Sequence, residues 1–491
     1  MPSNPTLDTL PSETQLQIFS QIAAHDLSTI ARTSKRLNQI ATPLLWNDIE
    51  LHEEGYHESR HELKVPAPAR DPARRPYHLK QKWGNGQGAR MKASQFFEIL
   101  QIMYRENPDR LQQITPRVRH LCTVIDPSWR PVNEEDDSVD AEAIQVWHLL
   151  PYFSSLETLE LYGDYYDSQE VEEQVSEILG SPPKLRFLKL SGYMPREVPA
   201  WLLKAGDTLE RLELDMLDRP ISTYLSNDPH FTPLPCEKIN TDDGDASESD
   251  YGSLADDMII PRPLGNIFTD YGDYKLKLPK LKHLFLGQPA ESCHTNDFAT
   301  YSWSKRAESA CYDDWLRILE ASMKTLETLV LEQRPSADLI EGDGYSEDMW
   351  MEERAWSHAS EILLNMVETV ISSETNQLPL KRVYLYGIVV GLEEEGSSFL
   401  DFPAGKFMQF LKDRGVECEA RRGRWCFFDR QSGSVDWCSW DAAEEDKEEE
   451  EGEGEDMDED KEQDAEPKTK WDAVLAKVGS LGLVIHDLNQ F

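Results

Sequence analysis

The sequence holds no Cys-x-x-Cys pair, and its seven cysteines are scattered between Cys122 and Cys438. That absence argues against a Cys-rich zinc site and offers no disulfide framework. No run approaches the roughly 18 apolar residues that a bilayer span requires. The opening residues, MPSNPTLDTLPSE, lack the basic start and apolar stretch of a secretory signal. A soluble protein of the cytoplasm, the nucleus or both is expected, with no membrane partner. Neither a G-x-x-x-x-G-K-S/T loop nor a G-x-S-x-G elbow occurs, so two common frames for phosphate cradling and serine nucleophiles are missing. Positive charge is also scarce. Fifty Lys and Arg stand against 91 Asp and Glu, a net charge of −41. An acidic body repels phosphate backbones, which argues against nucleic acid and favours a basic protein as partner.

The charge is unevenly spread. Residues 1–92 are slightly basic, whereas Glu444–Glu466 carries 16 acids against Lys447 and Lys461. Such a run cannot bury enough apolar area to fold, so 441–470 is expected to be disordered. Residues 471–491 regain apolar spacing and read as a short helix or tail.

Residues 10–46 read LPSETQLQIFSQIAAHDLSTIARTSKRLNQIATPLLW. Ser12 with Gln15 has the form of a capping box, and apolar residues from Leu16 to Ala23 recur at helical spacing. Asp26 and Ser34 suit the N-caps of two further helices, and Pro43 suits a stop. A unit below about 40 residues usually needs outside help to be stable, so some of this apolar surface must meet another part of the chain or another protein.

This segment resembles an F-box: Leu10, Pro11 and Glu13 open it, Asp26-Leu27 and Ser34-Lys35-Arg36 follow, and Leu44-Leu45-Trp46 closes it. The resemblance implies docking onto the Skp-type adaptor of a cullin–RING ubiquitin ligase. Adaptor contacts are then expected from Leu10, Pro11, Glu13, Ile18, Phe19, Ile22, Leu27, Leu44, Leu45 and Trp46, within an F-box of residues 1–52.

Residues 53–92 form a basic Pro- and Gly-rich stretch that reads as a linker. It contains His57-Glu58-Ser59-Arg60-His61, a literal H-E-x-x-H. A zinc hydrolase built there is a remote alternative, since Gly55, Pro66 and Arg60 spoil the helix and no third ligand is evident. Gly84, Gly86 and Ala89 satisfy G-x-G-x-x-A without the preceding strand that a dinucleotide site needs. No catalytic residue, metal or cofactor is expected.

Residues 93–111 read as one amphipathic helix. Beyond it, L-x-x-L-x-L recurs at Leu156-Leu159-Leu161, Leu185-Leu188-Leu190, Leu209-Leu212-Leu214, Leu281-Leu284-Leu286 and Leu326-Leu329-Leu331, with Leu380-Val383-Leu385 as an altered copy and Val118-Leu121 as a forerunner. The pattern predicts a short strand per unit whose alternate side chains enter a shared core, because no unit can bury its apolar face alone. The expected fold is therefore an α/β solenoid. A three-helix F-box precedes an irregular leucine-rich-repeat domain over 93–391, with parallel strands on its concave face. An acidic insertion falls near 240–257, and residues 392–440 form a C-terminal cap. An F-box followed by sparse repeats resembles many fungal F-box proteins. The expected function is a non-enzymatic substrate receptor whose repeats hold a protein target. The alternative is a non-degradative scaffold for a basic protein.

Overall fold

The computed structural model describes residues 7, 10–22, 24–51, 87–125, 144–163, 178–192, 197–214, 218–222, 259–263, 267–268, 276–289, 305–334, 336–338, 358–373, 378–390, 398–421, 424–429, 434–439 and 484–485. The expected linker before residue 87, the H-E-x-x-H segment, Gly84 and Gly86, the acidic insertion and the acidic tail lie outside them.

Three helices come first: α1 (Ser12–Phe19), α2 (Ala24–Ala31) and α3 (Lys35–Leu45). Strand β1 (Asp48–Leu51) follows α3 directly, then α4 (Gln87–Glu106), α5 (Pro108–Ile114), β2 (His120–Ile125) and β3 (Thr158–Gly163). The chain continues through β4 (Phe187–Gly192), α6 (Glu197–Leu203), β5 (Arg211–Leu214), β6 (Asp218–Ser222), β7 (Ile259–Pro263) and β8 (His283–Pro289). Next are α7 (Lys305–Ser322), β9 (Thr328–Arg334), β10 (Ser336–Asp338), α8 (His358–Ser373), β11 (Arg382–Tyr386) and α9 (Pro403–Asp413). Strands β12 (Glu417–Arg421), β13 (Arg424–Asp429), β14 (Ser434–Ser439) and β15 (Val484–Ile485) complete the order.

Ten strands form one sheet in the order β1-β2-β3-β4-β5-β8-β9-β11-β12-β15, which is chain order, and every neighbouring pair is parallel. Chain order without reversal is what stacked units produce. The leucine pattern sets the register. Leu159 lies opposite Leu188, Leu188 opposite Leu212, Leu212 opposite Leu284, Leu284 opposite Leu329, and Leu329 opposite Val383. All are at most 1% exposed. Because strand side chains alternate, this row and the Leu161–Leu385 row face the same core. Burying one such side chain contributes about 1.5–3 kcal/mol.

The other side of that core is helical, with Phe97, Leu100, Trp147, Trp201, Leu319, Val367 and Phe407 among its buried residues. Gly405 opens α9 against the preceding turn. A Cβ there would lie 2.0 Å from the Phe399 carbonyl oxygen, so only glycine fits.

Several boundaries differ from expectation. The 93–111 helix starts at Gln87, inside the expected linker, and breaks at Asn107, whose side chain accepts from the Arg110 N–H at 3.1 Å to start α5. Only β12 of the C-terminal cap strands extends the main sheet, because β13 pairs with β10 on one side and with β14 on the other. Val484 and Ile485, within the expected helix or tail of 471–491, add to β12 as a strand. At the other end β1, sequence-adjacent to the three helices, is the sheet's first strand.

Candidate functional site

The three N-terminal helices bury a core of their own: Phe19, Leu27, Ala31, Leu37 and Ala41, with Ile22, Ile30, Ile40, Leu44 and Leu45 packed around it. This cluster is distinct from the large core under the sheet. Ser34 caps α3, its hydroxyl accepting from the Leu37 N–H at 3.1 Å. The other expected caps are corrected. Ser12 makes no capping bond, and Gln15 is instead fully buried with its amide donating to the Leu7 carbonyl at 2.7 Å. Asp26 lies inside the first turn of α2, and α3 runs through Pro43 for two more residues. Pro43 is exposed in the last turn, where it removes one backbone hydrogen bond without ending the helix.

The expected contact residues fall into groups. Ile18 is 38% exposed, Pro11 and Glu13 are exposed, and Leu10 and Ile22 are half-buried. Leu16 and Leu7, which the sequence reading left out, are 44% and 36% exposed. Three of the nine large hydrophobic residues that stand exposed among the described residues thus fall between 7 and 18. Phe19 and Leu27, by contrast, are closed off at 0% and 4% exposure, so they hold the bundle's shape and offer no contact area. Leu44 and Leu45 pack on the same core. Trp46 points elsewhere: its ring lies 6.3 Å from that of Phe96 on α4. Together with β1, it ties the bundle to the sheet, and the Arg119 and His120 N–H groups both bond the Asn47 carbonyl, at 2.8 and 3.1 Å.

The outward face of the sheet is the other place where a ligand was expected. Its central row runs Glu50, Cys122, Glu160, Lys189, Glu213, Phe285, Val330, Tyr384 and Glu419. From Cys122 to Tyr384 these residues are at most 6% exposed. Lys189 Nζ lies 3.2 Å from Glu160 Oε1, Arg211 pairs with Glu213 and stacks 4.7 Å over Phe187, and Phe285, Val330, Tyr384 and Tyr386 form an apolar cluster. This row is therefore buried and internally paired along most of its length.

Burial pushes the Cys122 and Cys418 thiols well above their ordinary range, so neither is a ready nucleophile or ligand. Among the described residues no group of His, Cys, Asp or Glu could hold a metal ion, and no helix is long and apolar enough to cross a membrane. Asp314 is the one strongly perturbed carboxyl among them, raised to about 7 by burial despite accepting the Ile267 N–H at 2.7 Å. It anchors the returning Ile267–Phe268 segment, and both of those residues sit in the core.

Residues 7–52 match the family model described as F-box-like. The chain thus carries an F-box-like domain, comprising the three helices and β1, joined to a parallel α/β sheet with helices on one side. No curated protein matches the chain.

Proposed function

We propose that the protein is the substrate-recognition subunit of an SCF-type cullin–RING ubiquitin ligase. The observation that carries this is the F-box-like domain at 7–52 with Leu7, Leu16 and Ile18 left exposed beside a bundle core already filled by Phe19 and Leu27. F-box domains bind Skp-type adaptors, and Leu10, Pro11, Glu13, Ile18 and Ile22 with Leu16 are the residues we assign to that contact. Phe19, Leu27, Leu44, Leu45 and Trp46 act behind them as supports. The stacked L-x-x-L-x-L units read as an irregular leucine-rich-repeat domain that holds a protein target, raising its effective concentration near the ubiquitin-charged enzyme. The chain then contributes binding alone, and the other subunits supply the chemistry.

Rigid attachment suits that role. The bundle passes into the sheet through β1 within a few residues, so a target on the sheet domain keeps a fixed orientation to the adaptor. The net charge of −41 favours a basic target, as it would in a non-degradative scaffold. Target turnover separates the two. Co-purification with both adaptor and cullin, and slower target turnover when residues 7–52 are deleted, is the expected result. Adaptor binding without cullin or turnover would favour the scaffold.

A further inference from the structure

The rim where the strands begin carries a groove of about 1080 Å³ between the starts of β9, β11 and β12. Lys324, Lys381, Arg382 and Arg414 line it, against Glu327 and Glu417. In a chain with nearly two acids per cation, this is a local reversal of sign.

The two acids are already engaged, Glu327 by Lys381 and Glu417 by Arg382 at 2.9 Å. The Arg382–Glu417 pair is largely exposed and the Lys381–Glu327 pair partly so, so each is weak and open to exchange with an incoming carboxylate. No carboxylate pairs with Lys324 or Arg414 among the described residues. Backbone groups close most of the helix ends beside them, and Arg414 adds one long bond to the Phe410 carbonyl. The Leu319 and Ser322 carbonyls at the end of α7 take backbone N–H groups from Met323, Thr325 and Leu326. At the end of α9 the Leu411 and Lys412 carbonyls take those of Arg414, Gly415 and Val416. The Arg414 Cζ lies 3.6 Å from the centre of the Phe410 ring, and its two terminal nitrogens make only long bonds, to the Phe410 carbonyl at 3.5 Å and Ser372 Oγ at 3.4 Å, which a carboxylate can replace. Half-buried Leu378 and Pro379 give the groove an apolar floor.

We propose that this groove binds an extended acidic segment of a partner protein, with carboxylates on Lys324 and Arg414 and an apolar side chain on Leu378 and Pro379. The inference rests on the receptor reading and sharpens it. At this groove the local charge selects an acidic segment, opposite in sign to the basic partner that the net charge of the whole chain favours.

The test uses the full chain with three 12-residue fluorescent peptides, each with a central Leu flanked by Asp and Glu, by Lys and Arg, or by Ser and Asn. The acidic peptide should bind best and weaken as salt rises. Lys324→Glu with Arg414→Glu should weaken it at least about tenfold, the order expected from two reversed charges near a protein surface. Arg119→Glu, at the far end of the same rim, should leave it unchanged. Equal or better binding of the basic peptide, or full binding by the double variant, overturns the proposal. So does acidic-peptide binding that emerges only when the acids of 444–466 are replaced by Gln and Asn, since the chain's own segment would then be the occupant. Adaptor binding is read on the same sample, so a failed receptor reading is distinguishable from a failed groove.

Discussion

Arg186, just before β4, grips Glu210, just before β5, with Nε at 2.9 Å from one carboxylate oxygen and Nη2 at 3.1 Å from the other. The same position in successive units reads Arg119, Glu157, Arg186, Glu210, Lys282, Glu327, Lys381 and Glu417, and each of these donates its N–H to the carbonyl of the one before it, from Glu157 onward. Charge alternates at every step. Arg119 reaches Glu157 at 3.0 Å, and Lys381 pairs with Glu327. A unit that slipped past its neighbour would break the backbone ladder and the sign pattern together.

Each exposed pair contributes little, on the order of 0–1 kcal/mol. Reversing one rung does more, because Arg186→Glu would place three acids in a row at 157, 186 and 210. We expect that variant to lose about 1–2 kcal/mol in chemical denaturation. Adding Glu210→Arg should recover part of the loss. A double variant no better than the single one would show that the ladder's order carries no register information.

The buried pair behaves differently. Lys189→Met leaves Glu160 charged at 2% exposure and should cost about 3–5 kcal/mol. Replacing both, with Glu160→Leu and Lys189→Met, should cost much less, since no uncompensated charge remains. Urea melts of the two variants decide this, and equal losses would mean that the pair itself stabilises the sheet.

Asp314 sets a pH dependence. Its carboxyl is raised from 3.8 to about 7 in the folded chain, chiefly by burial. The folded state therefore holds the proton more tightly, so this contribution is fully present below about pH 4 and is lost as pH rises to about 7. Asp314→Asn keeps an acceptor for the Ile267 N–H but does not titrate. Relative to it, the wild-type chain should lose about 2–3 kcal/mol between pH 5 and pH 8. Parallel stability curves for the two proteins would contradict the assignment.

Within the bundle, support and contact can be told apart. Phe19→Ala should cost about 3–5 kcal/mol and melt the three helices, because Phe19 is the largest member of their small core. Ile18→Asp, one residue away and 38% exposed, should leave helicity intact and remove adaptor binding. Helical signal and adaptor affinity measured on both variants test this. Unfolding by Ile18→Asp would place that side chain in the core.

The sheet's inner rows were legible because leucine repeats at a spacing that only a strand with one buried face explains. A strand around Val416–Ala420 was legible too and is β12, but the first strand was not: in β1 the signal shrinks to Ile49 and Leu51. The closure of the outer face was equally hidden, since Glu160, Lys189, Arg211 and Glu213 read as solvated charges until the strands bring them side by side. In the bundle, helical spacing marked Ile18 and Phe19 alike, and only packing separates the exposed one from the buried one.

The central claim is that residues 7–52 dock onto a Skp-type adaptor. Titration calorimetry of the full chain with the purified adaptor tests it directly. A one-to-one complex is predicted, abolished by Leu10→Ala with Pro11→Ala while the circular dichroism of the sheet domain stays unchanged. The account is contradicted by no complex with the wild-type chain, or by one that the double variant retains at full affinity.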